Sequence, residues 1–240
     1  MHPGDVDGER AAQLASSLGV VRARLAAACE AVGRDPREVT LIAVTKTYPA
    51  ADVATLVRLG VLDIGESKEQ EAQRKRAELA DAATAVRWHM VGRIQSNKAR
   101  TIGAFARAVH SVDRLKLVDR LAEGARQQPA PVEVFVQVSL DDDPGRGGAV
   151  VGDVAAIADA VAARPELRLR GLMAVPPLGT EPAAAFARLQ ELGTRLQAEH
   201  PAASALSAGM SSDLDAAVAH GSTHVRVGTA LLGRRTSIVS

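Results

Sequence analysis

The chain has 240 residues, 47% hydrophobic and 24% charged, enough to bury a sizeable core; with only 2% aromatic residues, Ala, Val, Leu and Ile must build it. The formal net charge is +1, from 29 basic and 28 acidic residues, and the two signs are interspersed, which removes the electrostatic case for a nucleic-acid or anionic-membrane partner. One cysteine, Cys29, excludes an intramolecular disulfide and a cysteine-based metal centre.

Residues 1–13 are polar and acidic and lack the apolar stretch of a signal peptide. No run approaches the roughly 18 apolar residues of a membrane span, so a cytoplasmic location is expected. Residues 1–10 are expected to be disordered. The first element is a helix: Leu14, Leu18, Val21, Leu25, Ala28 and Val32 follow steps of four and three, and Gly33 supplies a stop. Cys29 lies on that helix, where a small buried or half-buried side chain is expected.

Beyond it, β-rich runs at 40–45, 61–64, 86–91, 107–110, 132–138, 167–173, 203–206 and 223–227 alternate with helical segments. The helical segments are 51–59, 68–79, 97–103, 115–127, 153–164, 182–199 and 212–220. This alternation predicts parallel strands joined by crossovers. Eight such units in a chain of this length favour a closed TIM-type (β/α)8 barrel over an open doubly wound sheet. A single domain spanning 1–240, with an extra N-terminal helix, is expected. Residues 141–148 are the most loop-like stretch, and after the fifth strand they fall on the C-terminal rim, as an active-site loop or simply a polar one.

Lys46 ends an alternating run in which Ile42, Val44 and Lys46 share a face. At the C-terminal end of a barrel strand it points into the mouth, where burial would lower its pKa and favour attack on an aldehyde. Taken alone, a lysine there more often snorkels to solvent. Further on, Leu206–Asp215 reads Leu-Ser-Ala-Gly-Met-Ser-Ser-Asp-Leu-Asp, and Thr223–Thr229 reads Thr-His-Val-Arg-Val-Gly-Thr. Each runs from a strand through a glycine toward a helix start, and Ser212 with Asp215 has capping-box spacing. Loops after strands seven and eight of a barrel are a recurrent phosphate site. Arg226 shares a face with His224 and needs an acceptor, either a cofactor ring nitrogen or a carboxylate. His89 in the third strand reads alone as a hydrogen-bonded structural residue, and Asp113 as an N-cap. No His/Asp/Glu cluster has metal-ligand spacing, so no metal is expected, and the Gly-Met-Ser stretch does not fit a nucleophile elbow.

These motifs together resemble the pyridoxal phosphate homeostasis protein family, related to the barrel domain of alanine racemase. The resemblance rests on Val-Thr-Lys-Thr-Tyr-Pro from Val44, Gly-Glu-Ser from Gly65, and Trp-His-Met-Val-Gly from Trp88 followed by Gln-Ser-Asn-Lys from Gln95. It continues through His-Ser-Val-Asp-Arg from His110, Gly-Leu-Met from Gly171 with Pro176, and the two C-terminal segments, covering about residues 14–235. It implies a fold-type III barrel holding pyridoxal 5′-phosphate (PLP) as a Schiff base on Lys46, with Arg226 facing the pyridine nitrogen. It implies that Ser211, Gly228 and Thr229 hold the phosphate, that Ser207 and Met173 lie near the ring, and that Val44, Ser67, His89 and Met210 complete the cofactor site. Ser67 and Ser139 stand where the family usually has Asn, and Ala208 where Met is common, so local contacts at these three positions are expected to differ from the family's.

A carrier that buffers or delivers the cofactor, with apo forms of PLP-dependent enzymes as recipients, is favoured over an amino-acid racemase. Racemisation needs a proton group on each face of a planar carbanion, and in the racemase relatives a tyrosine from a second domain of a partner subunit serves the face opposite the lysine. Here the one tyrosine is Tyr48, of open direction, and the length is expected to leave no second domain. Arg226 beside the ring nitrogen also disfavours its protonation and weakens the ring as an electron sink. A phosphate-sugar aldolase using Lys46 is the remaining alternative. A single barrel needs no partner to complete its pocket, so a monomer is expected.

Overall fold

The computed structural model describes residues 3–141 and 147–233. Helix α1 (Pro3–Glu30) buries Leu14, Leu18, Val21, Leu25, Ala28 and the unpaired Cys29. Val32, expected as the last residue of the stripe, lies past the helix end and is 42% exposed, because the chain turns through Gly33 at φ +68°. Helix α1 starts at Pro3, N-terminal to its apolar stripe, and Arg10 is anchored to Asp52. Met1 and His2 lie outside the described residues.

Eight parallel strands then close into a barrel in sequential order. They are β1 (Thr40–Val44), β2 (Asp63–Glu66), β3 (Arg87–Met90), β4 (Ala108–Val112), β5 (Val132–Gln137), β6 (Leu167–Met173), β7 (Ala205–Ser207) and β8 (His224–Val227). The ring closes where β8 pairs with β1, Arg226 opposite Ile42. Between and after the strands come α2 (Ala50–Arg58), α3 (Glu69–Leu79), α4 (Ala99–Gly103), α5 (Leu115–Ala125), α6 (Val154–Ala162), α7 (Pro182–Glu199), α8 (Leu214–Ala219) and the short α9 (Thr229–Leu232). The main core is the layer between strands and helices, built from the outward strand residues such as Ala43, Ile64, Val225 and Val227. Inside the barrel lies a smaller plug in which Phe135, Met173 and Ala205 pack beside three buried histidines.

The strand and helix order follows the pattern read along the sequence, but β2 sits two residues later than the apolar run at 61–64. Its last residues, Gly65 and Glu66, have low β propensity, and pairing with β3 (Asp63 opposite Arg87, Glu66 opposite Met90) overrides that preference. The capping roles also fail. Asp215 pairs with Arg24 instead of closing a box with Ser212, and α8 starts only at Leu214. Asp113 pairs with Arg114, and Arg114 is the residue that precedes α5. Of the loop at 141–148, residues 142–146 lie outside the described residues. Gly171 sits at φ +147°, where an added Cβ would lie 1.8 Å from the Ala205 carbonyl oxygen, so β6 and β7 meet there only because the side chain is absent.

Candidate functional site

The carboxyl ends of the strands open onto a cavity of about 790 Å³. Val44 and Lys46 reach it from β1, Ser67 from the turn after β2, and Val91 and Val175 from the turns after β3 and β6. Met210, Ser211 and Ser212 come from the turn after β7, Arg226 from β8, and Gly228, Thr229 and Ala230 from the start of α9. The structure therefore gathers Lys46, Val44, Ser67, Met210, Ser211, Arg226, Gly228 and Thr229 around one space. His89, Met173 and Ser207 are not on its wall; each is at most 3% exposed, within the barrel interior.

Lys46 lines the cavity but stays exposed to solvent, where an inward strand face suggested burial. Its position is fixed by its neighbours. Thr47 adopts φ +70°, a left-handed conformation uncommon for a β-branched residue. Such backbone strain persists only where surroundings hold it, and the Thr47 amide donates to Glu71 Oε1. Behind the turn Lys75, wholly buried on α3, donates to the Thr45 carbonyl at 2.7 Å, to Glu66 Oε1 at 2.5 Å and to Glu71 Oε1 at 3.0 Å. Thr45 Oγ1 donates to the same Glu66 oxygen at 2.6 Å. Burial pushes the Glu66 carboxyl up, against the opposing hydrogen bonds from Lys75 and Thr45, and its Oε2 has no hydrogen-bond partner among the described residues. Nothing in the polar sequence of α3 singles out Lys75 for burial.

On the opposite wall the Ala230 amide donates to Ser211 Oγ at 3.3 Å, and the Met210 amide to Asp213 Oδ1 at 2.6 Å. Arg24 reaches from α1 to donate to the Ser211 carbonyl at 2.5 Å while pairing with Asp215. The helix outside the barrel thus braces the loop after β7, a role that only long-range contact reveals. Tyr48 is not among the cavity's lining residues: its hydroxyl donates to the Gly233 carbonyl at 2.7 Å, and the Arg10 guanidinium lies 5.9 Å from its ring centre.

Arg226 forms part of the floor, 6% exposed. It donates to the Ser207 carbonyl at 2.8 Å, to Ser207 Oγ at 2.7 Å and to the Ala174 carbonyl at 3.2 Å. All are neutral oxygens, and burial pulls the guanidinium down to about 10, opposed only by the field of Asp213. A buried cation hydrogen-bonded to neutral groups suits a further acceptor from the cavity. Below it Ser207 Oγ meets His110 Nδ1 at 2.8 Å, His110 Nε2 meets His89 Nδ1 at 2.9 Å, and His89 Nε2 meets Asp63 Oδ1 at 2.9 Å.

Comparison with known proteins gives a consistent picture. The alanine racemase N-terminal domain family model matches residues 17–236. The pyridoxal phosphate homeostasis protein of Mycobacterium leprae is 47% identical over 248 residues, covering 95% of each chain. That of Pseudomonas aeruginosa is 47% identical over 228 residues, covering 92% of this chain and 96% of the relative. The structure of PipY from Synechococcus elongatus with PLP bound superimposes with a TM-score of 0.79 at 35% identity, covering 92% of this chain and 100% of that one. Alanine racemase from Bacillus anthracis shares the fold at a TM-score of 0.63 and 15% identity, covering 95% of this chain and 57% of the racemase.

Proposed function

The chain belongs to the alanine racemase N-terminal domain family and, within it, to the pyridoxal phosphate homeostasis proteins, and from that premise we propose that it binds PLP in the barrel mouth and buffers or delivers it in the cytoplasm. The observation that carries the reading is the convergence of Lys46, Arg226 and the paired turns at 210–212 and 228–230 on one cavity. The residues fit the group. Arg226 is a buried donor to neutral oxygens of Ser207 and Ala174, which supports a role facing the ring nitrogen. Ser211, Gly228 and Thr229 provide hydroxyl and backbone groups for a phosphate, and at Gly228 an added Cβ would approach the Val44 carbonyl to 3.3 Å. Lys46 would supply the amine that holds the cofactor as a Schiff base, the aldehyde C=O giving way to C=N with its oxygen leaving as water. When bound, the cofactor supplies an electron sink, which Arg226 weakens by disfavouring a proton on the ring nitrogen.

The carrier reading is favoured over a racemase by Tyr48. Its hydroxyl is engaged by the Gly233 carbonyl, so it is not free to serve as a second proton group across from Lys46. Near-neutral charge argues against nucleic acid as a partner, and no helix among the described residues is long and apolar enough to cross a membrane. In this reading the chain is one cofactor-binding barrel domain acting as a monomer, with cofactor-free PLP enzymes as recipients. The test is an absorption spectrum with added PLP, followed by borohydride reduction and peptide mass mapping. A Schiff-base band with the label on Lys46, lost in a folded Lys46→Ala variant, is expected. A reducible adduct that persists in Lys46→Ala refutes the lysine assignment, and no band in the wild type refutes the cofactor.

A further inference from the structure

Five side chains form a continuous hydrogen-bonded path across the barrel. It starts at Asp63, the first residue of β2, beside Arg87 at the first position of β3. It passes through His89 on β3 and His110 on β4, crosses the interior to Ser207 on β7, and ends at Arg226 on β8. Every link is between 2.7 and 2.9 Å.

The two ends set the direction of the chain. A guanidinium donates and cannot accept, so Ser207 Oγ accepts from Arg226. An ionised carboxylate accepts and cannot donate. Burial alone would raise the Asp63 carboxyl, but hydrogen bonds from Arg87 and His89 more than offset it and hold it well below the usual range. His89 must therefore carry its proton on Nε2. A neutral ring then leaves Nδ1 bare to accept from His110 Nε2, and His110 Nδ1 bare to accept the Ser207 hydroxyl proton. All links point the same way, from cation to anion, and such a chain polarises cooperatively.

The surroundings oppose a charged ring in the middle. His110 is wholly buried, stacked on Phe135 at 4.4 Å and 10°, and faces His89, His224 and Arg226. Burial first, then those neighbours, holds it well below an ordinary histidine. His224, with its Nδ1 on Thr223 Oγ1 at 2.8 Å, is likewise pushed down to about 3 by burial, then by His89 and Arg170.

We propose that Asp63, His89 and His110 are positioning residues that, through Ser207, fix Arg226 with its remaining donors facing the cavity. Ser207 then has its proton committed to His110 and receives Arg226, so it serves Arg226 and not the cofactor ring. The proposal deepens the cofactor reading and rests on it for its functional consequence, while the direction of the chain follows from the hydrogen-bond geometry with Asp63 ionised and both rings neutral, independently of the cofactor.

The two parts are tested separately. Nitrogen NMR of the ligand-free full chain, labelled at histidine and assigned with His89→Gln and His110→Asn, reports each tautomer at pH 7. Both rings are expected neutral with the proton on Nε2. A proton on His110 Nδ1, or a doubly protonated His89, reverses the chain and overturns the proposal. In parallel, PLP is titrated into the wild type and variants, with thermal melting as the control for folding. His110→Phe keeps the stack on Phe135 but removes both hydrogen bonds, and about a tenfold weaker affinity is expected. His110→Asn, which restores an acceptor for Ser207, should recover part of that loss. Ser207→Ala cuts the path at the next link with little change in volume and serves if His110→Phe does not fold. Undiminished affinity in a folded His110→Phe or Ser207→Ala overturns the positioning role. A wild type that binds no PLP overturns the cofactor reading, and the tautomers still decide the chain.

Discussion

Lys75→Met tests whether the buried ion network behind Lys46 holds the mouth together. Lys75 is 0% exposed and its ammonium touches Glu66, Glu71 and the Thr45 carbonyl. Methionine fills much of the same volume but leaves the Glu66 carboxylate buried with only Thr45 as a donor. Removing one partner of a buried pair costs about 3–5 kcal/mol, a large share of the roughly 5–15 kcal/mol that keeps a domain folded. Equilibrium unfolding in urea, followed by circular dichroism at pH 7, should show that loss. The double variant Lys75→Met/Glu66→Gln removes both charges and should cost less than the sum of its singles. pH gives an independent sign. Glu66 has its folded pKa raised, so its contribution is full below the unfolded value of about 4.3 and is lost as pH rises through the folded one. Without Lys75 that shift grows, so the deficit relative to wild type should be largest at pH 7 and shrink toward pH 5. The turn should loosen as well, because the Thr45 carbonyl loses its donor, and PLP should bind more weakly. A deficit under about 1 kcal/mol, or one that does not change with pH, refutes the reasoning.

Three further outcomes follow from individual contacts. Tyr48→Phe removes the bond to Gly233 and should cost about 1 kcal/mol of stability while leaving PLP affinity unchanged; a large affinity loss would instead put Tyr48 in the site. Gly171→Ala forces a Cβ onto the Ala205 carbonyl, and soluble expression with native circular dichroism would contradict the packing between β6 and β7. Asp63 has its folded pKa depressed, so its contribution is present above the unfolded value of about 3.9 and lost as pH falls through the folded one. Asp63→Asn should accordingly flatten the acid side of the stability–pH curve, measured by denaturant midpoints from pH 6 downward.

The sequence by itself determined the barrel. Alternation of period-two and helical runs is a local property, and it carries the order of elements, the inward face of Ile42 and Val44, and the position of Lys46 and Arg226 toward strand ends. The motif set also carried the family. Local pattern was silent wherever a residue's role depends on a distant partner. Lys75 sits in a helix of polar residues, and only the packing of α3 on β1 and β2 makes it a buried cation. Arg24 belongs to a helix outside the barrel, and its hold on Ser211 spans most of the chain. His89 read as a lone structural histidine because its partners, Asp63 and His110, lie on neighbouring strands. Ser207 entered as a cofactor neighbour only through the family resemblance; it is wholly buried and off the cavity wall, because depth along the barrel axis decides whether an inward residue reaches the cavity or lies beneath it. That depth is set by stagger among strands, a tertiary quantity that no local sequence pattern encodes.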